Sequence, residues 1–398
     1  MRDYSYNGLA GCVVQCMSLP GVPVGLYSAE QAQFDTRGGP WVTVCESHGT
    51  LANHRTLELA QGHLFLVDWC ESCQQSLSGQ ESEQTSGARL KARWSEDGAS
   101  ILLFRGSSRP PIRVEPARTH DPLILQSASS FVQAFDYTLA PYENCQYACT
   151  YCYVPTILHG LPDKLGGWGN YVKPRFRCVE SLLKHVGDLS GARLFLSATT
   201  DPYQRVEQLY RLTRSLLEQL VDIPFTYLLI STRGGLVLRD LDLFKRMADR
   251  VEIGISISSD LAERVHDTLE PDTPSYAGRF KVARVLRDNG IATRIHAAPL
   301  GTHSEAFLER AASSAHGLWV DGAGHGARRQ EPARSLLYDY ARAQDFAERA
   351  KAQLGEGRVG FGSAHFGHRW DGVGGRIVAV PPTETLRKRR KLVCAASS

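Results

Sequence analysis

The chain has 398 residues, 42% hydrophobic and 22% charged, with a formal net charge of +3. That length suits one large domain plus one or two small ones, and the composition is that of a globular protein. The charge is too small to imply nucleic acid, no apolar run approaches the roughly 20 residues of a membrane span, and the N-terminus lacks the basic-then-apolar pattern of a secretory leader. A cytoplasmic location with no membrane partner is expected, and there the 10 cysteines read as metal ligands or free thiols rather than disulfides.

Residues 1–75 read as a small N-terminal domain. Cys12 and Cys16 have no evident local partner and are expected to be structural thiols. Trp41 to Val44 is a short strand, Cys45-Glu46-Ser47-His48 follows it, a helix is expected from Asn53 to about Leu64, and Cys70-Glu71-Ser72-Cys73 ends the unit. The pattern is C-x2-H, a spacer of twenty-one residues, then C-x2-C. Each close pair can hold one edge of a tetrahedron, so zinc on Cys45, His48, Cys70 and Cys73 is the preferred expectation. A second iron–sulfur cluster, with Cys12 or Cys16 replacing His48, and unligated thiols are the alternatives. A closed four-ligand site would be structural, helping to fold a piece too small for a proper core. Residues 76–127 form a polar linker, SLSGQESEQTSGARL, then apolar Ile101 to Phe104 and a basic, proline-rich arm expected to pack on the main domain.

Residues 128–354 alternate strand and helix patterns. Strands are expected at Phe131 to Tyr137, Arg193 to Ser197, Phe225 to Ser231, Val251 to Ser258, Ala292 to Ala298 and Leu318 to Val320. Helices are expected at Val179 to Val186, Val206 to Leu220, Leu241 to Ala248, Ala277 to Asn289, Glu305 to Ser313 and Ala333 to Leu354. Such alternation implies an α/β fold with a parallel sheet and right-handed crossovers. Six repeats fall short of the eight that close a barrel, so the expectation is a partial (β/α)6 TIM-like barrel with chemistry at the C-terminal strand ends. Residues 355–398 are a C-terminal extension. Its Gly- and His-rich part, with His365 and His368 as H-x2-H, is expected to add a closing strand or a cap. It ends in a basic tail, Arg387-Lys388-Arg389-Arg390-Lys391, either solvated or set against an anionic partner.

The chemistry concentrates in YTLAPYENCQYACTYC, residues 137–152, where Cys145, Cys149 and Cys152 stand at C-x3-C-x2-C among four tyrosines. Three thiolates on one short loop can ligate three irons of a [4Fe–4S] cluster, and a fourth would close it. Three leave one iron open to another ligand. Buried or zinc-bound cysteines are the bland alternative. Polar groups follow several strands: Ser197-Ala198-Thr199-Thr200-Asp201, Ser231-Thr232-Arg233, Ser256 with Ser258, and His296. Singly, such residues commonly cap the next helix. Their place on the face that carries the cysteines raises the odds for the set.

The spacing resembles that of radical S-adenosylmethionine (radical SAM) enzymes. PYENCQYACTYCYVP, TTDPYQ with Glu207, Ser231-Thr232-Arg233 with Arg239-Asp240, and LEPDTPS with Arg279 resemble the spore photoproduct lyase-like branch, over residues 129 to 300. The resemblance implies a [4Fe–4S] cluster on Cys145, Cys149 and Cys152, with S-adenosylmethionine on its open iron. It implies Tyr151 against adenine, Thr200 and Asp201 near the methionine amino group, Arg233 with Thr232 at the carboxylate or ribose, Ser256 at the ribose and Arg279 on the carboxylate side. It also implies an electron donor such as flavodoxin or ferredoxin. One departure matters. Spore photoproduct lyase itself is expected to carry a cysteine near the end of strand two, and Ser197 to Thr200 has none. The expected enzyme therefore takes hydrogen from another substrate, a small, nucleoside-like or nucleotide intermediate of biosynthesis. A DNA-lesion lyase, and a non-catalytic zinc and iron–sulfur module binding nucleic acid, are the alternatives.

Overall fold

The computed structural model describes residues 111–119, 121–125, 134–157, 167–261, 265–270, 272–324 and 333–362, together with short strands outside those ranges. The chain divides into two compact units, residues 1–118 and 119–398.

In the first unit, β1 (Val24–Ser28), β2 (Trp41–Cys45) and β3 (Gly49–His54) form an antiparallel sheet. A second antiparallel run joins β4 (Lys91–Trp94), β5 (Ile101–Phe104) and β6 (Ile112–Val114). The helix expected from Asn53 does not begin there. Asn53 and His54 pair with Val42 and Trp41, because Trp41 and the β-branched run 42–44 offer a ladder that outweighs a weak helical pattern. Of the expected zinc ligands, Cys45 closes β2, and His48, Cys70 and Cys73 lie outside the described residues, as do His365, His368 and the basic tail.

The second unit opens with β7 (Leu123–Leu125), β8 (Tyr137–Leu139) and the antiparallel pair β9 (Tyr142–Glu143) and β10 (Tyr171–Pro174). It continues with β11 (Arg193–Leu196), β12 (Tyr227–Thr232), β13 (Val251–Ser256), β14 (Ala292–Ala297), β15 (Gly317–Val320) and β16 (Val359–Phe361). A further small pair, β17 (Arg369–Trp370) and β18 (Ile377–Val378), follows. The main sheet runs β7-β8-β11-β12-β13-β14-β15-β16, with β7 antiparallel and the other seven strands parallel. This is the expected partial barrel, with seven parallel strands rather than six. The seventh is β16, three residues of the Gly-rich stretch expected to supply a closing strand or a cap.

Of these, β11, β13 and β15 are buried end to end, as parallel strands covered on both faces must be. Two expected helices are broken by capping groups. Between Glu207–Tyr210 and Leu212–Leu220, Arg211 turns left-handed at φ +53. The buried Glu207 carboxylate there accepts the N–H groups of Thr213 at 2.9 Å and Arg214 at 3.2 Å, which a helix start leaves unpaired. Ala333–Leu336 and Tyr340–Leu354 are separated where Tyr338 hydrogen-bonds Leu300 and Ala323 through its backbone, and Asp339 caps the second helix.

The strand register sorts inward residues into layers. Arg193 stands beside Tyr227, Phe195 beside Leu229, Ser231 beside Gly254 and Ser256 beside His296, which neighbours Trp319. The lower layer is a plug. Tyr227 donates to Glu252 at 3.0 Å, Arg294 donates to Glu252 at 2.6 Å, and Arg193 lies over the rings of Phe135 and Tyr227. Phe135, Phe195, Leu229 and Trp319 follow as an apolar layer. Toward the C-terminal strand ends come Ser197, Ser231, Ser256 and, at the register of Trp319, His296. Gly254 makes room for that last ring, since a Cβ there would sit 2.1 Å from His296 Cε1. Gly254→Ala is therefore expected to lower stability by about 2 kcal/mol through overpacking. Adding His296→Ala should recover most of the loss in a thermal melt; no recovery would mean the crowding lies elsewhere.

Candidate active site

The cluster loop follows β8 and is coiled by two left-handed residues, Asn144 (φ +67) and Ala148 (φ +48), each just before a cysteine. Asn tolerates that region, and its side chain is tied to the Tyr171 carbonyl at 2.9 Å. The loop is stitched to the segment after β11. The Gln146 amide oxygen accepts from Val206 N at 2.8 Å, and the Gln146 N–H donates to Gln204 at 2.9 Å. Tyr147 donates to the Tyr203 carbonyl at 3.0 Å, and Tyr142 donates to Glu207. Glu207 is ion-paired with Arg239, and Asp240 accepts from Tyr203 at 3.0 Å. Three motifs far apart in sequence thus form one buried network that fixes the loop.

Cys145, Cys149 and Cys152 are free thiols, the first two buried and the third half-buried. All three line one cavity of about 460 Å³, within the range of small-molecule sites. Burial pushes each thiol up, Cys149 to about 12. Thiols so placed ionise only against a compensating cation, which the irons of a cluster provide. Among the described residues no three His, Cys, Asp or Glu side chains converge on a single metal ion. A cubane asks for something else, since each of its cysteines takes a different iron.

Thr200, Asp201, Arg233, Ser256 and Tyr151 line the same cavity. Buried Asp201 holds the wall together. It accepts from Thr232 Oγ1 at 2.6 Å, from the Arg233 N–H at 2.7 Å and from the Tyr203 N–H at 2.9 Å. The Thr200 hydroxyl beside it is buried without a partner among the described residues, as befits a group that meets a ligand. The structure does not bring Thr232 or Arg279 to the cavity wall. Thr232 is spent on Asp201. The Arg279 guanidinium donates to Pro274 O at 2.8 Å, to Ser256 O at 2.9 Å and to Thr273, and is ion-paired with Glu270.

Glu270 is the hub that the sequence reading passed over. Fully buried, it takes a hydrogen bond from Tyr151 and pairs with both Arg279 and Arg233, the latter at 3.5 Å. Arg233 also donates to Tyr151 at 2.9 Å. Burial alone would raise the Glu270 carboxyl, but the two arginines and Tyr151 outweigh it and hold the group at about 2. Phe195, Trp168, Trp319 and Asp321 complete the wall. Of these, Phe195, Trp319 and Asp321 share the two-residue alternation of Ser197 and His296, a signal present in the sequence.

The family profile described as the Radical SAM superfamily matches residues 139–309, the segment from the cluster loop through β14. Residues 139–309 belong to the radical SAM superfamily. The chain also has curated relatives. An uncharacterized protein of Methanocaldococcus jannaschii, MJ0683, is 30% identical over 41% of this chain and 60% of its own length. An uncharacterized protein of Mycobacterium tuberculosis H37Rv, Rv2578c, is 30% identical over 47% of this chain and 58% of its own. The chain thus spans less than two thirds of the length of the curated relatives it matches. Among solved structures, a point mutant of spore photoproduct lyase overlays with a TM-score of 0.46 at 18% identity, covering 62% of this chain and 80% of that one. The radical S-adenosylmethionine methyltransferase TsrM of Kitasatospora setae overlays with a TM-score of 0.35 at 13% identity, covering 56% and 46%. The profile match and the strand order carry the assignment, not these overlays.

Proposed function

We propose that the chain is a radical SAM enzyme that takes a hydrogen atom from a small biosynthetic substrate. The observation that supports this best is the opening of three free cysteines at C-x3-C-x2-C, two buried and one half-buried, onto the strand-end cavity. Cys145, Cys149 and Cys152 would hold the cluster. Thr200 and Asp201 would meet the methionine amino group, Arg233 the carboxylate or ribose, Ser256 the ribose and Tyr151 the adenine. When bound, the cluster and cofactor would supply one-electron reductive C–S bond cleavage coupled to hydrogen-atom abstraction from the substrate, the electron coming from a flavodoxin- or ferredoxin-like donor. The chain's own part is orientation and exclusion of water. Asp201 fixes the Arg233 backbone, and Glu270 fixes the Arg233 and Tyr151 side chains. Arg279 acts from behind the wall as a positioning residue for Glu270. Anaerobic reconstitution tests the reading: about four irons per chain are expected, and a chain that takes up no iron overturns it.

For the N-terminal unit the proposal remains structural zinc on Cys45, His48, Cys70 and Cys73. Replacing Cys70 and Cys73 together should remove the zinc measured by metal analysis, whereas unchanged zinc refutes the assignment.

A further inference from the structure

Ser197 combines two unfavourable features. It follows β11, is 3% exposed, and its backbone stands at φ +63, the left-handed region that L side chains avoid. Its hydroxyl is buried with no hydrogen-bond partner among the described residues. The backbone is held there, because the Ser197 N–H donates to the Leu139 carbonyl at 2.7 Å across to β8. Glycine would take this conformation without strain, yet the chain carries serine. A strained residue whose polar group has no partner, on the wall of a cavity, points to a ligand.

Its surroundings define the ligand. One end of the cavity is walled by the cysteines, Tyr147, Tyr151 and Trp168, which pack together. Phe195, Ala198, Ala298 and Trp319, which also line the cavity, belong to an apolar cluster that contains no cysteine. Ser197 adjoins that end in sequence, and the His296 ring meets Trp319 edge-on at 5.2 Å. Burial first, then Arg294 and Arg233, hold that imidazole well below its ordinary value, so it is neutral. Arg233 is the one lysine or arginine on the wall among the described residues, and its guanidinium is held at the cysteine end by Tyr151 and Glu270. Asp321 adds a carboxyl. Aromatic faces, a hydroxyl and a neutral imidazole suit a flat ring. A phosphate or carboxylate would lose its hydration there and face the Asp321 carboxyl.

We propose that this end of the cavity is the substrate subsite, that it takes an uncharged flat ring bearing a carbonyl or amide, and that the Ser197 hydroxyl binds and positions that group. The proposal rests on the radical SAM reading for the chemistry done there, though not for the binding. A nucleobase qualifies; a nucleotide would have to keep its phosphate outside.

Benzamide and benzoate provide the test, since they share a shape and differ in charge. Each is titrated into the reconstituted full-length chain, with tryptophan fluorescence reporting through Trp319 and Trp168. Benzamide is expected to bind in the millimolar range, and benzoate at least roughly tenfold more weakly. Ser197→Gly removes the hydroxyl and the strain together. It is expected to leave the thermal midpoint unchanged or higher and to weaken benzamide about fivefold. Equal binding of both probes, no binding of benzamide, or wild-type benzamide affinity in Ser197→Gly overturns the proposal. So does a lowered midpoint in that variant, which would make the hydroxyl structural. The same samples, supplied with S-adenosylmethionine and a reductant, report 5′-deoxyadenosine. Binding through Ser197 without that product fails the radical SAM reading and leaves the subsite standing. Product formation in a chain indifferent to benzamide fails the subsite alone.

Discussion

Cys149→Ala is expected to abolish both cluster and activity. Iron per chain should fall from about four to below about one. Formation of 5′-deoxyadenosine should fall by more than roughly 100-fold, since even partners outside the ligand shell of a metal site cost 10- to 100-fold. Cys178→Ala is the matched control. Cys178 is equally free and fully buried, and its thiol is pushed up to about 12 by burial, but it starts the helix Cys178–Leu183 away from the cavity wall. Iron should be retained there. Equal losses in the two variants would show that iron follows the number of thiols and not their place.

Glu270→Gln is expected to produce the largest loss of stability of any single change near the site. The carboxylate pairs with two arginines, of which Arg279 is 1% exposed. Removing one partner of a buried pair leaves an uncompensated charge and costs about 3 kcal/mol, or about 8 °C in the thermal midpoint. The pH dependence has a definite sign. The folded carboxyl sits at about 2, below its ordinary value of 4.5. Its contribution is complete above that ordinary value and is lost as pH falls from there toward about 2. The gap between wild type and Glu270→Gln should therefore narrow in acid melts across that window. A constant gap would mean that the charge of Glu270 is not what stabilises the fold. The variant should also weaken S-adenosylmethionine binding, because Arg233 and Tyr151 lose their common anchor.

The cysteine loop was legible because its three thiols are local, so spacing alone fixes how many irons they reach. The alternation of strands and helices was legible because apolar periodicity records burial on both sheet faces. The registry between strands was not, and with it the inward layer that brings Phe195, Ser197, His296 and Trp319 together. Registry is set by pairing across residues far apart in sequence. Glu270 and Arg279 sit in a quoted motif, but the fully buried side chain of Arg279 looks in sequence like any ligand-binding arginine at a helix start. Trp168 comes from a Gly-rich stretch without periodicity, and β16 has three residues, too few for a pattern. The helix break at Arg211 follows from a carboxylate that caps at a distance, which helix propensity does not encode.

The cavity is proposed to cleave S-adenosylmethionine reductively. The most direct measurement is product analysis after the reconstituted chain is mixed anaerobically with S-adenosylmethionine and a strong one-electron reductant. 5′-Deoxyadenosine and methionine formed in equal amounts, and only in the reduced sample, are the predicted result. Four irons per chain with S-adenosylmethionine recovered intact, or converted to S-adenosylhomocysteine with no 5′-deoxyadenosine, would contradict it.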